Sequence, residues 1–446
     1  METLETPTNI QDLIDRQKLG GFFTRVVALC SLVAFLDGFD TQVIGYIAPM
    51  ILKQWHLPAT ALGPLFSIGL FGLMAGLLLL SPLSDKIGRK AIIVAATFLF
   101  GLFTLCSAAT GSVDGLMVFR FLAGLGLGAA MPNALALTGE YSPRRMRASV
   151  VVIMFCGFSL GSIAAGLLTA SLQAGGWRSV LWIGGAAPLL AAALLLFALP
   201  DSLQFLVLKA SARARVLTIV RRLAPAHGDT NVAFTAPGQT LKGVPIARLF
   251  AEGRAAGTFL MWVAFFANLM VLYFLQTWLP TILVASGMSM GAAASVTTLT
   301  MAGGIAAAFL VGPLMDRLGP QGVLGALLLG GAVFTAAIGF AATSTPWLLL
   351  GATFMAGFCV SGGQKCVNAL AVIFYPATAR ATAVGWALGV GRLGAVIGPL
   401  IVSALIAQGW SNPTLFYAAS IPMVIAAGSM FAMNALYRIR SAQSPP

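Results

Sequence analysis

Charge is what this 446-residue sequence has least of. Only 9% of its residues are Asp, Glu, Lys or Arg, against 59% hydrophobic. A soluble domain carries roughly a quarter charged residues, so the solvent for this chain is lipid. Histidine is nearly missing. His56 and His227 both fall between apolar runs, so no run offers the imidazole that a metal site or a nucleophile–base pair would need. The five cysteines, Cys30, Cys106, Cys156, Cys359 and Cys366, all lie in apolar runs without metal-ligand spacing. No metal and no cofactor is expected, and no enzyme activity. Acidic residues stop altogether after Asp316.

Long hydrophobic runs are plentiful. Twelve of about 20 residues each, the length that crosses a bilayer, extend from 23–47 to 414–437. The organisation read from them is a segment 1–22, a first six-span half 23–199, a middle loop 200–256, a second half 257–437 and a tail 438–446. The fold class is an all-α membrane protein. Residues 1–22 are polar, with Asp12, Asp15, Arg16 and Lys18, and do not read as a cleavable signal.

The net charge of +13 is a topology signal. Lys53 and Arg178 lie on one side of the spans, and Arg120, Lys365 and Arg392 lie within them. The rest of the 26 cations fall on the side of the N-terminus, including Arg213, Arg215, Arg221 and Arg222 of the middle loop. The positive-inside rule then places both termini and the middle loop in the cytoplasm of an inner-membrane, multi-pass protein. Nucleic acid is not an expected partner; membrane lipid is.

The halves repeat. Ser81-Pro-Leu-Ser-Asp-Lys-Ile-Gly88 matches Gly312-Pro-Leu-Met-Asp-Arg-Leu-Gly319, and Arg147-Ala-Ser-Val-Val151 matches Arg380-Ala-Thr-Ala-Val384 after nearly the same interval. Two related six-span halves are a transporter architecture.

Two carboxylates in the first span, Asp37 and Asp40, are three residues apart and share a helical face. Ionisable groups inside spans are functional by default, and an acid pair there is a candidate proton carrier. A structural hydrogen-bonding pair is the other reading. Arg120, near the start of the fourth span, is the candidate counter-ion, or else an interfacial side chain. Lys365 in the tenth span and Arg392 in the eleventh have no acid after them in sequence. A carboxylate substrate suits them, Arg392 as a fork and Lys365 as a point charge, whereas pairing of Arg392 with backbone carbonyls or a cytoplasmic-side acid is the other reading. Gln364, Asn368, Asn268, Tyr273, Gln276 and Trp386 are the polar and aromatic candidates around a flat ring, whereas Trp278 reads equally as an interfacial anchor. Asp85, Arg89, Lys90, Glu140, Arg147, Asp316, Arg317 and Arg380 form a candidate gating network at one end of the spans.

The loop "SPLSDKIGRKA" resembles the signature loop of the major facilitator superfamily, with Ser81 in place of the usual first Gly. "DGFDTQVIGYIAP", "RFLAGLGLGAAMPNALALTGEY" and "FYPATARATAVGWALGVGRLGAVIGP" further resemble its aromatic acid/proton symporter family. The resemblance implies twelve helices in two pseudo-symmetric halves. It also implies a monomer that imports a hydroxybenzoate-like aromatic carboxylate with a proton by alternating access. Uptake of an aliphatic acid such as a dicarboxylate or muconate is the alternative. Drug efflux is a weaker one, because the fifth span, "CGFSLGSIAAGLL", has no proline. A sensor would need a signalling domain, and the middle loop is too short for one.

Overall fold

The structure, a computed structural model, describes residues 8–16, 20–207, 213–223, 234–235, 249–251, 253–342, 346–375 and 377–443. Among them are 12 helices long and apolar enough to cross a membrane. We number these α1 Gly21–Trp55, α2 Leu62–Leu79, α3 Arg89–Ala109, α4 Val113–Tyr141, α5 Arg147–Ser171 and α6 Gly176–Ala198. The second six are α7 Ala255–Thr277, α8 Met290–Leu318, α9 Pro320–Ala341, α10 Pro346–Phe374, α11 Ala377–Ala407 and α12 Asn412–Gln443. An even number of crossings brings the start of α1 and the end of α12 to the same side of a membrane. With no water to satisfy a peptide group in hydrocarbon, helix is the form such runs can take. Internal prolines, among them Pro49, Pro132 and Pro399, do not end these helices.

The helices outrun the apolar stretches that predict them. α1 has 35 residues, where the hydrophobic run suggests 23–47. Its last turn carries the exposed Lys53, so the helix continues beyond the apolar zone. The sequence repeat has a backbone counterpart. Gly88 and Gly319 close the two matched loops with φ of 98° and 92° and open α3 and α9. Only glycine takes that conformation readily.

The chain forms two compact units, and their division falls inside α1, α2, α5 and α6. The first unit comprises residues 1–40, 71–161 and 181–241. Its helices approach through small residues, the membrane's means of close packing. A Cβ on Gly38 of α1 would run into the Phe158 carbonyl of α5. At its terminal face an apolar cluster gathers Val26, Leu29 and Leu137 with Ile10, Leu13 and Ile14 of the short helix Ile10–Arg16. Leu203 and Leu206 of Leu203–Val207 and Val216, Ile219 and Val220 of Arg213–Leu223 join it. Thr8–Asn9 pairs in parallel with Phe234–Thr235. The described residues 200–207, 213–223 and 234–235 of the middle segment belong to this unit.

The second unit comprises residues 41–70, 162–180 and 242–446. Here the ends of α1, α2 and α5 remote from the termini pack on α7, α8 and α11. Ser67 Oγ donates to the Val396 carbonyl at 2.7 Å, and Ser403 Oγ to the Thr60 carbonyl at 2.6 Å. Phe66 meets Trp278 edge-on at 5.4 Å. Trp278 is fully buried, which sets aside its reading as an interfacial anchor.

Candidate functional site

In the first unit, Asp40 is fully buried in α1. Arg120 of α4 grips its carboxylate with both ends of the guanidinium, Nη1 at 3.0 Å from Oδ1 and Nη2 at 2.8 Å from Oδ2. Nη2 also donates to the Asp40 backbone carbonyl at 3.2 Å, and Thr104 of α3 donates to Oδ1 at 2.7 Å. The paired geometry is the strong form of this contact. Asp37 lies one turn earlier at 5% exposure. Three helices thus converge on one buried ion pair. The sequence does not single out Thr104; it is one of two hydroxyl residues, with Ser107, in the apolar run "FGLFTLCSAA".

In the second unit the predicted cations sit among neutral polar groups. Arg392 of α11 donates from Nη1 to the Tyr273 hydroxyl of α7 at 2.6 Å, and its guanidinium stands 5.9 Å from that ring's centre. Lys365 of α10 donates to the Gly304 carbonyl of α8 at 2.7 Å. Beside Lys365 runs an amide chain. Asn268, fully buried, donates to Gln364 Oε1 at 2.8 Å, and Gln364 Nε2 donates onward to Asn368 Oδ1 at 3.1 Å. Asn268 also donates to the Val360 carbonyl, so its amide fixes which way Gln364 points. Gln276 is 3% exposed on α7. Trp386 is 44% exposed and stacks on Trp262, with ring centres 6.1 Å apart, so it is not brought to Arg392.

The third group lies at the terminal face of the first unit. Arg89 at the start of α3 pairs with Glu140 at the end of α4. Glu140 also accepts from the Ser202 hydroxyl at 2.6 Å, and the Tyr141 hydroxyl donates to the Asp201 carbonyl at 2.5 Å. These contacts tie the segment after α6 to α4. Asp85 is exposed but acts electrostatically on Arg89; Lys90 is half-buried and Arg317 exposed. The side chains of Arg147, Asp316 and Arg380 lie outside the described ones. Among the described residues no cluster of His, Cys, Asp and Glu could hold a metal.

Comparison with known proteins places this arrangement. The Major Facilitator Superfamily model matches residues 30–296 and 261–445. The 4-hydroxybenzoate transporter PcaK of Pseudomonas aeruginosa is 40% identical, covering 95% of this chain and 95% of the relative. The gallate transporter of Pseudomonas putida is 36% identical over 98% of this chain and 97% of its own length. The fold is that of the xylose transporter XylE of E. coli in a partially occluded inward open conformation. That match has a TM-score of 0.72 at 18% identity and covers 93% of this chain and 98% of the other. The twelve helices, the repeated loop and these matches lead to one conclusion: the chain belongs to the major facilitator superfamily, as a multi-pass membrane transporter and not an enzyme, and its relatives there are named aromatic acid transporters.

Proposed function

We propose that this protein is a proton-coupled symporter that imports a hydroxybenzoate-like aromatic carboxylate across the inner membrane by alternating access. It acts as a monomer with both termini cytoplasmic and needs no cofactor beyond the coupling proton. The observation that carries the reading is the division of charge. A buried carboxylate is locked to an arginine in the first unit. In the second, Arg392 and Lys365 are held by neutral oxygens.

A proton arriving at Asp40 competes directly with Arg120, because both use the same two oxygens. Protonation weakens the grip and frees the arginine, a charge change suited to switching between conformations. Arg392 has a guanidinium edge to offer a carboxylate, and Tyr273 holds it in place. Lys365 adds positive charge, and the Asn268–Gln364–Asn368 chain supplies directional polar groups. The names of the relatives support an aromatic acid, and the placement of basic residues supports cytoplasmic termini.

Energetics favour coupling. An anion entering alone works against an inside-negative potential at about 2.3 kcal/mol per charge per 100 mV. One accompanying proton removes that opposition. The test is uptake of labelled 4-hydroxybenzoate into proteoliposomes. An inward proton gradient should raise the initial rate and give accumulation above the external concentration. Equal uptake with and without the gradient refutes coupling.

A further inference from the structure

The second unit buries polar atoms that have no partner. Gln42 and Tyr46 of α1 and Gln276 of α7 are at most 3% exposed. The Gln42 amide nitrogen donates to the Gln276 backbone carbonyl at 2.7 Å. Only an NH2 group can meet a carbonyl oxygen, so this contact fixes the amide and leaves Oε1 over. Gln276 Oε1 has no hydrogen-bond partner, and Gln42 Oε1 and the Tyr46 hydroxyl find none beyond the contact between those two side chains. Gln276 Nε2 faces only the Met301 sulfur, a weak acceptor, at 4.0 Å. Tyr46 stands one helical turn from Gln42 and beside it. Buried polar groups are nearly always satisfied, so a cluster of unsatisfied ones calls for a specific explanation.

The cluster is also well placed. Gln276 follows Tyr273 by three residues on α7 and so lies on the same side, about 4.5 Å further along the axis. Tyr273 holds Arg392. That rise is on the scale of an aromatic ring with its substituents.

We propose that Gln42, Tyr46 and Gln276 form the pocket that reads the ring hydroxyl of a phenolic carboxylate whose acid group is held at Arg392. This deepens the function proposed above and rests on it. The phenolic O–H donates to a glutamine Oε1, and its oxygen accepts from the Tyr46 hydroxyl. An acid without the hydroxyl leaves Gln276 Oε1 with no donor and Gln42 and Tyr46 with only each other, and is disfavoured for that reason.

The test measures initial uptake of labelled 4-hydroxybenzoate and benzoate by the full-length protein in proteoliposomes. Wild type is compared with Gln42→Met, Gln276→Met and Tyr46→Phe, the last removing a single oxygen. The expected result is a fall in the 4-hydroxybenzoate to benzoate ratio of about tenfold for Gln276→Met and about threefold or more for Tyr46→Phe, as loss of one hydrogen bond implies. A fall in both substrates that leaves the ratio unmoved assigns these residues a packing role and overturns the inference. So does an unchanged ratio in all three variants. If wild type takes up both acids and the ratio does not shift, this inference alone falls. If wild type takes up neither, the aromatic-acid reading falls, and the inference with it.

Discussion

Arg120 and Arg392 are both intramembrane arginines, yet their settings differ in the one respect that matters for transport. Arg120 has a carboxylate. Arg392 has a phenol, through a single hydrogen bond and the ring face. A guanidinium held by a neutral partner keeps most of its donors for an anion. Lysine at the same place would keep the charge and lose the fork. Arg392→Lys should raise the half-saturating substrate concentration about tenfold while leaving the limiting rate within a few-fold, measured by initial uptake in vesicles. Tyr273→Phe should raise it less, about three- to tenfold, because the charge and the fork persist and only the orienting contact is gone. These residues were legible in the sequence because a charge inside an apolar run stands out. Some of their partners, Arg120 and Tyr273 among them, stood out too, but others did not. Thr104, Gly304 and the Val360 carbonyl are ordinary in sequence, and only helix packing brings them to Asp40, Lys365 and Asn268.

At the scale of elements, α1 sets the geometry of the buried ion pair. Asp40 reaches Arg120 and Thr104 because α1 lies close against its neighbours, and Gly38 is where it nears the α5 backbone. A Gly38→Val substitution drives a side chain into the Phe158 carbonyl, which cannot move aside as a rotamer can. Overpacking of this kind costs about 1–3 kcal/mol or more. The variant should show a lower thermal midpoint in detergent and reduced uptake even at normal protein levels; an unchanged midpoint contradicts the packing described here. The twelve helices could be read from hydrophobic runs because a bilayer demands about 20 apolar residues in succession. The helices Ile10–Arg16 and Arg213–Leu223 could not. They are short and bury only three apolar side chains each, Ile10, Leu13 and Ile14 in one and Val216, Ile219 and Val220 in the other. Such stretches look like linker until a surface is there to receive them.

For the whole molecule, the sequence repeat and the compact units divide the chain differently. The repeat runs from one half of the chain to the other, whereas the second unit takes in the ends of α1, α2 and α5 remote from the termini. Inside that unit, the end of α1 is fastened to α7 by Gln42, and α2 and the turn before it to α11 by Ser67 and Ser403, each through a neutral hydrogen bond to a backbone carbonyl. Bonds of this type contribute about 0.5–1.5 kcal/mol each. On the proposed mechanism, contacts of that size suit a carrier that reopens this face in every cycle, since two states within a few kcal/mol are the ones a ligand can interconvert. On the proposed mechanism the proton supplies the bias at Asp40 and the substrate supplies it at Arg392. The most direct measurement is proton entry driven by the substrate itself. Full-length protein is placed in vesicles holding a pH-sensitive dye at equal pH inside and out, and 4-hydroxybenzoate is added outside. Wild type should acidify the interior faster than protein-free vesicles, saturably in substrate, and Asp40→Asn should not exceed the protein-free rate. Saturable substrate uptake by wild type with no acidification above the protein-free rate contradicts the account.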